Sequence, residues 1–405
     1  MTDGSLAVLL DGRIVGSLRR NHPDRMSFRY EPAWQAFAKA MPLSLSLPLA
    51  VAEHEGAVVD SFIRGLLPAV PAGDPFALIA HVGEDCAGAV QVMAPAKAQA
   101  MLSSPPGEAE WLTDGEVGER LQALKRDPAA GRLPKDIGRF CLAGAGAKTA
   151  LFLQRDRWGV PSGRLPTTHI LKPQGNASEG QAENEHFCLT LARALRFPAA
   201  ASSIRRFGEE TALVVERYDR VAQPNGDIAR VHQEDVVQAL GDSPTPADIV
   251  KLLRKQSSRP QDDVETFVDS LVFNWLIGGT DADARNYSLL HGSGGRLRLA
   301  PLYDLSSALP YDRLDERKLE MRMEIGGERH LAGIGRRQWQ KAESELGLES
   351  GQLLRRGRAR AQAMIWELPA LADRIHAGGL RHPIVARLSR VLKARATRCL
   401  EELTG

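Results

Sequence analysis

Residues 264–286 read Val-Glu-Thr-Phe-Val-Asp-Ser-Leu-Val-Phe-Asn-Trp-Leu-Ile-Gly-Gly-Thr-Asp-Ala-Asp-Ala-Arg-Asn, and this stretch decides the fold. Large apolar residues recur in its first half at helical spacing, which predicts a helix with one broad buried face. Gly278 and Gly279 then predict the end of that helix. The apolar residues are Val264, Phe267, Val268, Leu271, Val272, Trp275 and Leu276.

A polar loop and a β-hairpin are predicted to follow the helix. The loop contains Asp281, Asp283 and Asn286, and the hairpin is expected to turn near residues 293–295. Paired residues of antiparallel strands keep a nearly constant sum of residue numbers. Asn286 at one end of the hairpin is therefore predicted to lie close to Asp304 at the other end.

These side chains suit a magnesium-assisted phosphoryl transfer. Asp281 can orient the attacking hydroxyl group, while Asn286 and Asp304 supply hard oxygen ligands for a metal on the phosphates. The order Asp, Asn five residues later, short hairpin, Asp is that of the catalytic and metal-binding segments of protein kinases. A hydrolase with a haloacid-dehalogenase-type pair at Asp281 and Asp283 is disfavoured, because that pair follows a hydrophobic strand and here a helix is predicted.

Four further stretches carry a specific resemblance that spans nearly the whole chain. Residues 215–220, 232–241, 280–288 and 299–305 together resemble the HipA family of bacterial toxin kinases. The resemblance implies an α+β, two-lobed protein-kinase-like fold. It would comprise a small β-rich amino-terminal subdomain (1–105), a kinase N-lobe with Gly-rich loop and hinge (106–221) and a helical kinase C-lobe (222–405).

The resemblance also implies an ATP-binding site. In the family, a Gly-rich loop covers the nucleotide phosphates, usually with glutamine where Gly146 stands here. By itself, the segment could be a structural turn, and Ala147 replaces the last glycine that a P-loop nucleotidase needs. Lys172, at the end of the predicted strand 167–172, resembles the kinase lysine that binds the α and β phosphates, although a surface lysine would look the same. The segment comprises Ala143, Gly144, Ala145, Gly146, Ala147 and Lys148.

Glu185 has two interpretations. It is expected in the first turn of a helix beginning at residue 184, where negative charge is favourable for dipole reasons alone, or it pairs with Lys172 as in kinases. The strand 211–218 matches the hinge that binds adenine. The expected further nucleotide contacts are Glu216, Arg217 and Tyr218 in the hinge, together with Asp283 and Tyr303.

Besides Gly146, three residues depart from the family pattern. The family loop usually carries histidine and lysine where this chain has Asp283 and Arg285. Arg285 keeps the positive charge, and Asp283 either repels Asp281, which would raise a pKa, or adds a metal ligand. Cys141 stands where family members carry a serine that phosphorylates itself and ejects the Gly-rich loop. This implies a kinase without self-inactivation at that position.

Composition restricts the remaining function classes. Fifty-two basic and 50 acidic residues give a net charge of +2, which argues against an extended nucleic-acid surface. Four cysteines without paired spacing and no long apolar run predict a soluble cytoplasmic protein without a membrane partner. The resemblance implies ATP and Mg²⁺ as cofactors, an aminoacyl-tRNA synthetase as substrate, inhibited translation with growth arrest or persistence, and a small helix-turn-helix antitoxin (HipB-like) that binds operator DNA. A nucleotide-binding scaffold without transfer activity stays open.

Local patterns give expectations for the rest of the chain. A hairpin with an Asp11-Gly12 turn, an edge or extended strand over 42–49 and a further strand over 83–92, which closes the amino-terminal region, are expected first. A connector with one short helix is expected over 95–133, and a helix start with acidic residues in its first turn over 232–241. Residues from Arg336 onward are predicted to be helical, with the basic run 353–360 on a solvated face.

Overall fold

The computed structural model describes residues 4–22, 25–67, 74–127, 140–144, 146–175, 179–311 and 316–404. The chain forms two compact units. The first comprises Met1–Pro173, Arg205–Asp242 and Leu289–Leu297; the second comprises Gln174–Ile204, Ser243–Ser288 and Arg298–Gly405. The predicted subdomain boundaries near residues 105 and 221 stay a prediction.

The strands are β1 (Ser5–Leu10), β2 (Arg13–His22), β3 (Arg25–Tyr30), β4 (Glu53–Glu55), β5 (Val90–Met93), β6 (Ala109–Leu112), β7 (Thr149–Gln154), β8 (Arg157–Pro161), β9 (His169–Pro173), β10 (Ser202–Phe207), β11 (Glu210–Glu216), β12 (Arg220–Ala222), β13 (Ile228–Arg230), β14 (His232–Asp235), β15 (Ser288–Gly292), β16 (Arg296–Leu299), β17 (Glu320–Ile325) and β18 (Glu328–His330). The α-helices are α1 (Pro32–Gln35), α2 (Ala57–Leu66), α3 (Pro75–Val82), α4 (Pro95–Ser103), α5 (Asp114–Arg126), α6 (Gln181–Ala194), α7 (Val236–Leu240), α8 (Pro246–Gln256), α9 (Pro260–Ile277), α10 (Arg336–Glu345), α11 (Gln352–Ala377) and α12 (Pro383–Thr404).

The first unit begins with an antiparallel sheet of order β4-β3-β2-β1-β5. Asp11 and Gly12 both have positive φ, and Leu10 pairs with Arg13 across them, so the predicted first hairpin is confirmed. Two positive φ angles match the right-handed twist of the strands, which explains the choice of Asp-Gly. Helices α2 and α3 cover this sheet with apolar side chains such as Phe62 and Ile79.

A second sheet of the first unit has the order β10-β11-β9-β7-β8-β6. Its edge strand β6 and helices α4 and α5 come from the predicted connector, which therefore contains more structure than the single helix expected. Helix α5 begins with a capping box in which Thr113 and Glu116 bond each other's backbone N–H groups. Residues 128–133 of that connector lie outside the described residues.

The predicted strand over 42–49 is wrong. An isolated bridge between Ser44 and Leu47 surrounds a turn instead. The carboxylate of Glu234 accepts hydrogen bonds from Ser44 Oγ and from Leu45 N, the latter at 2.9 Å. Glu234 lies 189 residues further along the chain than Leu45. Its hydrogen bonds hold this segment in a turn, although the alternating sequence pattern predicted a strand.

Two other expected elements are shifted. Residues 232–235 form strand β14, and the short helix α7 begins after Asp235, which caps it, so its first turn carries no acidic residue. The strand expected over residues 83–92 is limited to β5, Val90–Met93. In both segments, turns and pairing partners outside the local sequence set the bounds.

Helix α9 is the central helix of the second unit. Every residue from Phe267 to Ile277 is buried, so the expected single buried face extends around the whole helix. Helices α8, α11 and α12 all pack against it. Gly278 ends the helix in the left-handed conformation, as predicted, and the Gly279 N–H bonds the Asn274 carbonyl at 2.8 Å.

The carboxy-terminal region is helical, as predicted, but its basic run is not simply solvated. Arg356 and Arg360 both bond the buried carboxylate of Asp269 on α9, with Arg356 Nε to Oδ1 at 2.6 Å and Arg360 Nη2 to Oδ2 at 2.5 Å. These ion pairs join α11 to the central helix. Across the described ranges, each helix is too short or too polar to cross a bilayer.

Replacing Gly278 by alanine is expected to destabilise the second unit by about 2–3 kcal/mol. The left-handed φ of 62° disfavours a Cβ atom, and that atom would lie 2.7 Å from Leu309 Cγ. Gly294→Ala is the matched control, because Gly294 also has positive φ (74°) but open space around the added atom. Urea unfolding should give a smaller loss for the control; equal losses would contradict the steric contribution.

Candidate functional site

The loop after α9 is stabilised by its own side chains. Asp283 Oδ1 accepts a hydrogen bond from Arg285 N at 2.7 Å, and Asn286 Oδ1 accepts one from Asp283 N at 3.0 Å. This reciprocal capping starts the 3₁₀ turn Ala284–Asn286. The other oxygen of Asp283 faces Arg285 Nη1 at 3.3 Å. The geometry therefore favours a loop-supporting role for Asp283 over either sequence-based interpretation.

Asn286 and Asp304 meet, as the hairpin geometry predicted. Strands β15 and β16 form the hairpin, and Asn286 Nδ2 donates a hydrogen bond to Asp304 Oδ2 at 3.3 Å. Asp304 has a φ of 56°, in the left-handed region. Left-handed backbone is uncommon outside glycine and is enriched at functional sites.

Two tyrosines fix the segments that carry these polar residues. The Tyr303 hydroxyl donates to the Arg285 carbonyl at 2.7 Å and lies 2.7 Å from Ser288 Oγ, so it ties the segment before Asp304 to the loop. The Tyr287 hydroxyl contacts Ser270 and Asn274 on α9, and burial raises the pKa of Tyr287 to about 12. The Tyr287 hydroxyl therefore keeps its proton at neutral pH and acts as a hydrogen-bonding group.

The second strand of the hairpin is anchored by Asp263. This buried carboxylate accepts from Arg298 Nη2 at 2.8 Å, from Leu299 N at 2.9 Å and from Ser257 Oγ at 2.5 Å. Asp263 lies in the first turn of α9. The helix therefore anchors the loop through Tyr287 and the second hairpin strand through Asp263.

Asp281 lies on the exposed surface of the same loop. The backbone carbonyl of Thr280 accepts a hydrogen bond from Arg322 N at 3.2 Å, which fixes the residue just before Asp281. Asp281 follows a helix that Gly278 terminates, so the strand that a haloacid-dehalogenase-type pair requires does not precede it. An exposed carboxylate on a fixed backbone is suited to accept a proton from a hydroxyl group.

The donor set fits a magnesium ion that is also bound by phosphate. Within the part of the chain that the structure describes, no group of three or more His, Cys, Asp or Glu side chains could hold a metal by itself. Asp304 supplies a carboxylate, and the amide nitrogen of Asn286 lies 3.3 Å from its Oδ2 atom. The amide oxygen of Asn286 accepts from Asp283 N and has a second lone pair for a cation. Mg²⁺ prefers such oxygen ligands and commonly takes one or two from protein, with phosphate and water completing the set.

The residues predicted to bind nucleotide phosphates belong to the first unit. Lys148 Nζ donates to the Ala143 carbonyl at 2.6 Å, which closes the Gly-rich segment on itself, and Gly144 has a φ of 96°. Ala145 lies outside the described residues. Lys172 lies on β9 opposite Leu213 of β11, which confirms that it is on a strand. The proposed phosphate contacts stay predictions.

Arg217 requires a correction as a nucleotide contact. Its buried guanidinium bonds Asp219 and Thr167 and donates to the Cys86 carbonyl, so the side chain has no freedom to reach a ligand. Its backbone N–H bonds the Thr168 carbonyl at 2.9 Å. Arg217 is therefore a structural residue of the hinge-like stretch.

The two neighbours of Arg217 differ from it in exposure and in hydrogen-bond partners. Glu216 is exposed at the end of β11, whereas the Tyr218 hydroxyl bonds Gln233 at 2.5 Å. Contacts of these two residues with adenine stay predictions.

Glu185 is not in the first turn of its helix. Helix α6 begins at Gln181, and Glu183 is the acidic residue of the first turn. The dipole explanation therefore applies to Glu183 rather than to Glu185. The pairing of Glu185 with Lys172 stays a prediction.

Sequence reasoning missed the buried polar residues that support these segments. Asp85 accepts from Thr167 and contacts Arg220 at 2.9 Å and Arg230 at 3.2 Å. Burial opposes ionisation of Asp85, but the arginines outweigh it and hold its pKa well below the usual value. Glu234 likewise accepts from His291 on β15 at 2.8 Å. The sequence motifs around residues 217–220 and 232–235 include Arg220 and Glu234. The motifs alone do not indicate which residues these two side chains bind.

Two family models match the chain. The HipA N-terminal domain matches residues 6–93, and the HipA-like C-terminal domain matches residues 140–372. The Sinorhizobium fredii protein Y4mE, whose kinase designation is provisional, is 35% identical over 372 residues, which cover 86% of this chain and 87% of that protein. The serine/threonine-protein kinase toxin HipA of Shewanella oneidensis is 28% identical over 330 residues, 72% of each chain.

A solved structure confirms the predicted fold class. A chain from the complex of Shewanella oneidensis HipA, HipB and operator DNA superposes with a TM-score of 0.81 at 24% identity and covers 98% of both chains. The two-lobed, protein-kinase-like α+β architecture is therefore shared with that structure.

Proposed function

Since this chain belongs to the HipA family of kinases, we propose that it is an ATP- and Mg²⁺-dependent serine/threonine protein kinase that acts as the toxin of a toxin–antitoxin pair. The observation that carries the proposal is the contact between Asn286 and Asp304, at 3.3 Å, next to a loop that presents Asp281. The Shewanella relative is named a serine/threonine-protein kinase, which supports serine and threonine as the acceptor residues.

The proposed mechanism assigns one task to each polar group. Asp281 accepts the proton of the attacking serine or threonine hydroxyl. Asn286 and Asp304 would hold Mg²⁺, which when bound would neutralise charge on the phosphates. Lys172 and the Gly-rich segment bind the phosphates, and Arg285 keeps a positive charge near the loop.

The substrate and the partner are also part of the proposal. The family resemblance points to an aminoacyl-tRNA synthetase, whose phosphorylation would inhibit translation and arrest growth. The similar Shewanella protein was solved with HipB and operator DNA. By analogy, a small helix-turn-helix antitoxin is proposed to bind this chain and to recruit it to operator DNA.

Transfer of labelled γ-phosphate tests the activity. The purified protein with labelled ATP and Mg²⁺, added to a cell-free translation reaction, should label a synthetase on serine or threonine, and a metal chelator should abolish the labelling. Nucleotide-dependent thermal stabilisation without labelling would favour the scaffold alternative. Labelling of the 139–150 peptide of the protein itself would contradict the absence of self-inactivation at Cys141.

Replacing Tyr303 by phenylalanine is expected to raise the Mg²⁺ concentration for half-maximal transfer about tenfold. The variant loses two hydrogen bonds, and we expect them to contribute roughly 1.4 kcal/mol to holding the metal ligands in position. The hydroxyl ties the segment before Asp304 to the Arg285 carbonyl and to Ser288. A titration of activity against Mg²⁺ at saturating ATP measures the shift.

Tyr30→Phe is the matched control for that titration. Its hydroxyl also makes two hydrogen bonds, to the Leu47 carbonyl and from Leu43 N, but it lies in the amino-terminal sheet and contacts neither Arg285 nor Ser288. The control should lower thermal stability while leaving the Mg²⁺ requirement near the wild-type value. Equal Mg²⁺ curves for wild type and Tyr303→Phe would show that the Tyr303 hydroxyl does not position the ligands.

A further inference from the structure

Two cysteines lie side by side at the base of the Gly-rich segment. Asp85 and Phe140 form a parallel β-bridge, and Cys141 N donates to the Asp85 carbonyl at 2.9 Å. Cys86 and Cys141 are the next residues along these two segments. Neighbouring strands lie about 4.8 Å apart, and this separation falls within the range of roughly 4.4–6.8 Å between Cα atoms that a disulfide spans.

The two thiols share one environment. Both cysteines are fully buried in the hydrophobic cluster of the amino-terminal sheet. The Cys141 thiol donates to the Leu66 carbonyl at 2.6 Å, and the Cys86 thiol lies 3.6 Å from the Gly83 carbonyl. A hydrogen bond with Cys141, followed by burial, raises the pKa of Cys86 well above its usual value. Cys86 therefore stays a thiol at neutral pH.

We propose that Cys86 and Cys141 form an oxidation-sensitive pair, which a small peroxide converts to a disulfide. The Cys141 sulfur attacks one oxygen of hydrogen peroxide, the O–O bond breaks, and a sulfenic acid and one water form. The Cys86 sulfur then attacks the sulfenic sulfur, and the hydroxyl group leaves with the Cys86 proton as a second water. Two thiols are oxidised, and one peroxide is reduced to two waters.

Burial selects the oxidant. Hydrogen peroxide is uncharged and only slightly larger than water, whereas the close-packed interior excludes the much larger glutathione disulfide from two fully buried sulfurs. The pair should therefore respond to peroxide without forming mixed disulfides with glutathione. This distinguishes the pair from exposed cysteines, which react with both reagents.

The disulfide would restrain the Gly-rich segment. Cys141 lies two residues before Ala143, whose carbonyl accepts the Lys148 bond. A covalent bond to Cys86 would tie that end of the segment to Asp85, which contacts Thr167 and Arg220. Oxidation is therefore expected to slow amide exchange of the described residues 143, 144 and 146–148. This inference goes beyond the proposed function and does not depend on kinase activity.

Peptide mapping after peroxide treatment tests the pair. The reduced full-length protein is treated with graded hydrogen peroxide or with glutathione disulfide, then unfolded in iodoacetamide and digested. Peroxide should give a peptide linking Cys86 to Cys141, about 2 Da lighter than the two free peptides together, and glutathione disulfide should give none. Cys188 is an internal control. It is equally buried, but its contacts are with Asn184 and Ser307, so it should remain a free thiol during peroxide treatment and be alkylated after unfolding.

Two physical measurements follow the bond. The oxidised wild type should unfold roughly 5 °C higher than the reduced protein, and amide exchange of residues 143, 144 and 146–148 should slow. Cys141→Ala, with its fold verified by circular dichroism, should show neither change. Free thiols at both positions after a peroxide dose that oxidises exposed methionines would overturn the proposal, as would cross-linking of Cys86 to a different cysteine. The wild-type mapping decides this even where the variant fails to fold.

Discussion

Replacing Asp304 by asparagine is expected to lower kcat/KM for phosphoryl transfer by about 10³-fold or more, because the variant loses the charged ligand that would hold a metal on the phosphates. Asparagine keeps the size of the side chain and tolerates the left-handed φ of 56°. The Asn286 contact is retained in geometry, since the amide oxygen can accept where the carboxylate oxygen accepts now. The fold should therefore persist while transfer is lost.

The measurement is single-turnover transfer of labelled phosphate to a protein acceptor, together with nucleotide-dependent thermal stabilisation. Asp156→Asn is the matched control, because Asp156 is also an aspartate of positive φ, at 62°, but lies on an exposed turn beside Arg205. The control should retain wild-type transfer. Equal rates for Asp304→Asn and wild type would refute the assignment of Asp304, and an unfolded Asp304 variant would be recognised by its circular dichroism.

The part of the site that the sequence predicted correctly is local. The apolar spacing from Val264 to Leu276 and the two following glycines predicted α9 and its end. The hairpin rule then brought Asn286 to Asp304 across only 18 residues. Each step used short-range geometry, which the chain itself determines.

Three of the errors share a different cause, since each of the three involves a partner far along the chain. Glu234, which lies 189 residues after Leu45 in the chain, accepts a hydrogen bond from Leu45 N and holds that segment in a turn. Arg217 looked like a ligand contact but is bound by a carbonyl 131 residues away. Residues 267–277 of α9 are buried on all sides, and α11 and α12, from the end of the chain, pack against this helix. Periodicity carries no information on such contacts.

The buried ion network around Asp85 is expected to be the most sensitive stabilising feature of the first unit. Asp85→Ala should lower the free energy of unfolding by about 3–5 kcal/mol. Three arginines, Arg217, Arg220 and Arg230, surround Asp85, and Asp219 is the second carboxylate that bonds two of them. The variant would leave three buried guanidinium groups facing that one carboxylate. Burial and Arg217 already lower the pKa of Arg220 to about 10, which shows how strongly the cluster resists more positive charge.

Urea unfolding at several pH values separates the charge of Asp85 from its packing. Folding lowers the pKa of Asp85, so its carboxylate contributes fully above the unfolded-state value of about 3.9, and the contribution falls as the pH drops toward the folded-state value. The difference in free energy of unfolding between wild type and Asp85→Ala should therefore be largest near pH 7 and shrink below about pH 4.

Asp85→Asn, which keeps the volume, should lose nearly as much stability at pH 7 if charge dominates. Glu53→Ala, which removes an exposed pair with Arg29 in the same unit, should cost less than about 1 kcal/mol. A pH-independent loss for Asp85→Ala would mean that packing, rather than the neutralisation of the arginines, is what Asp85 provides.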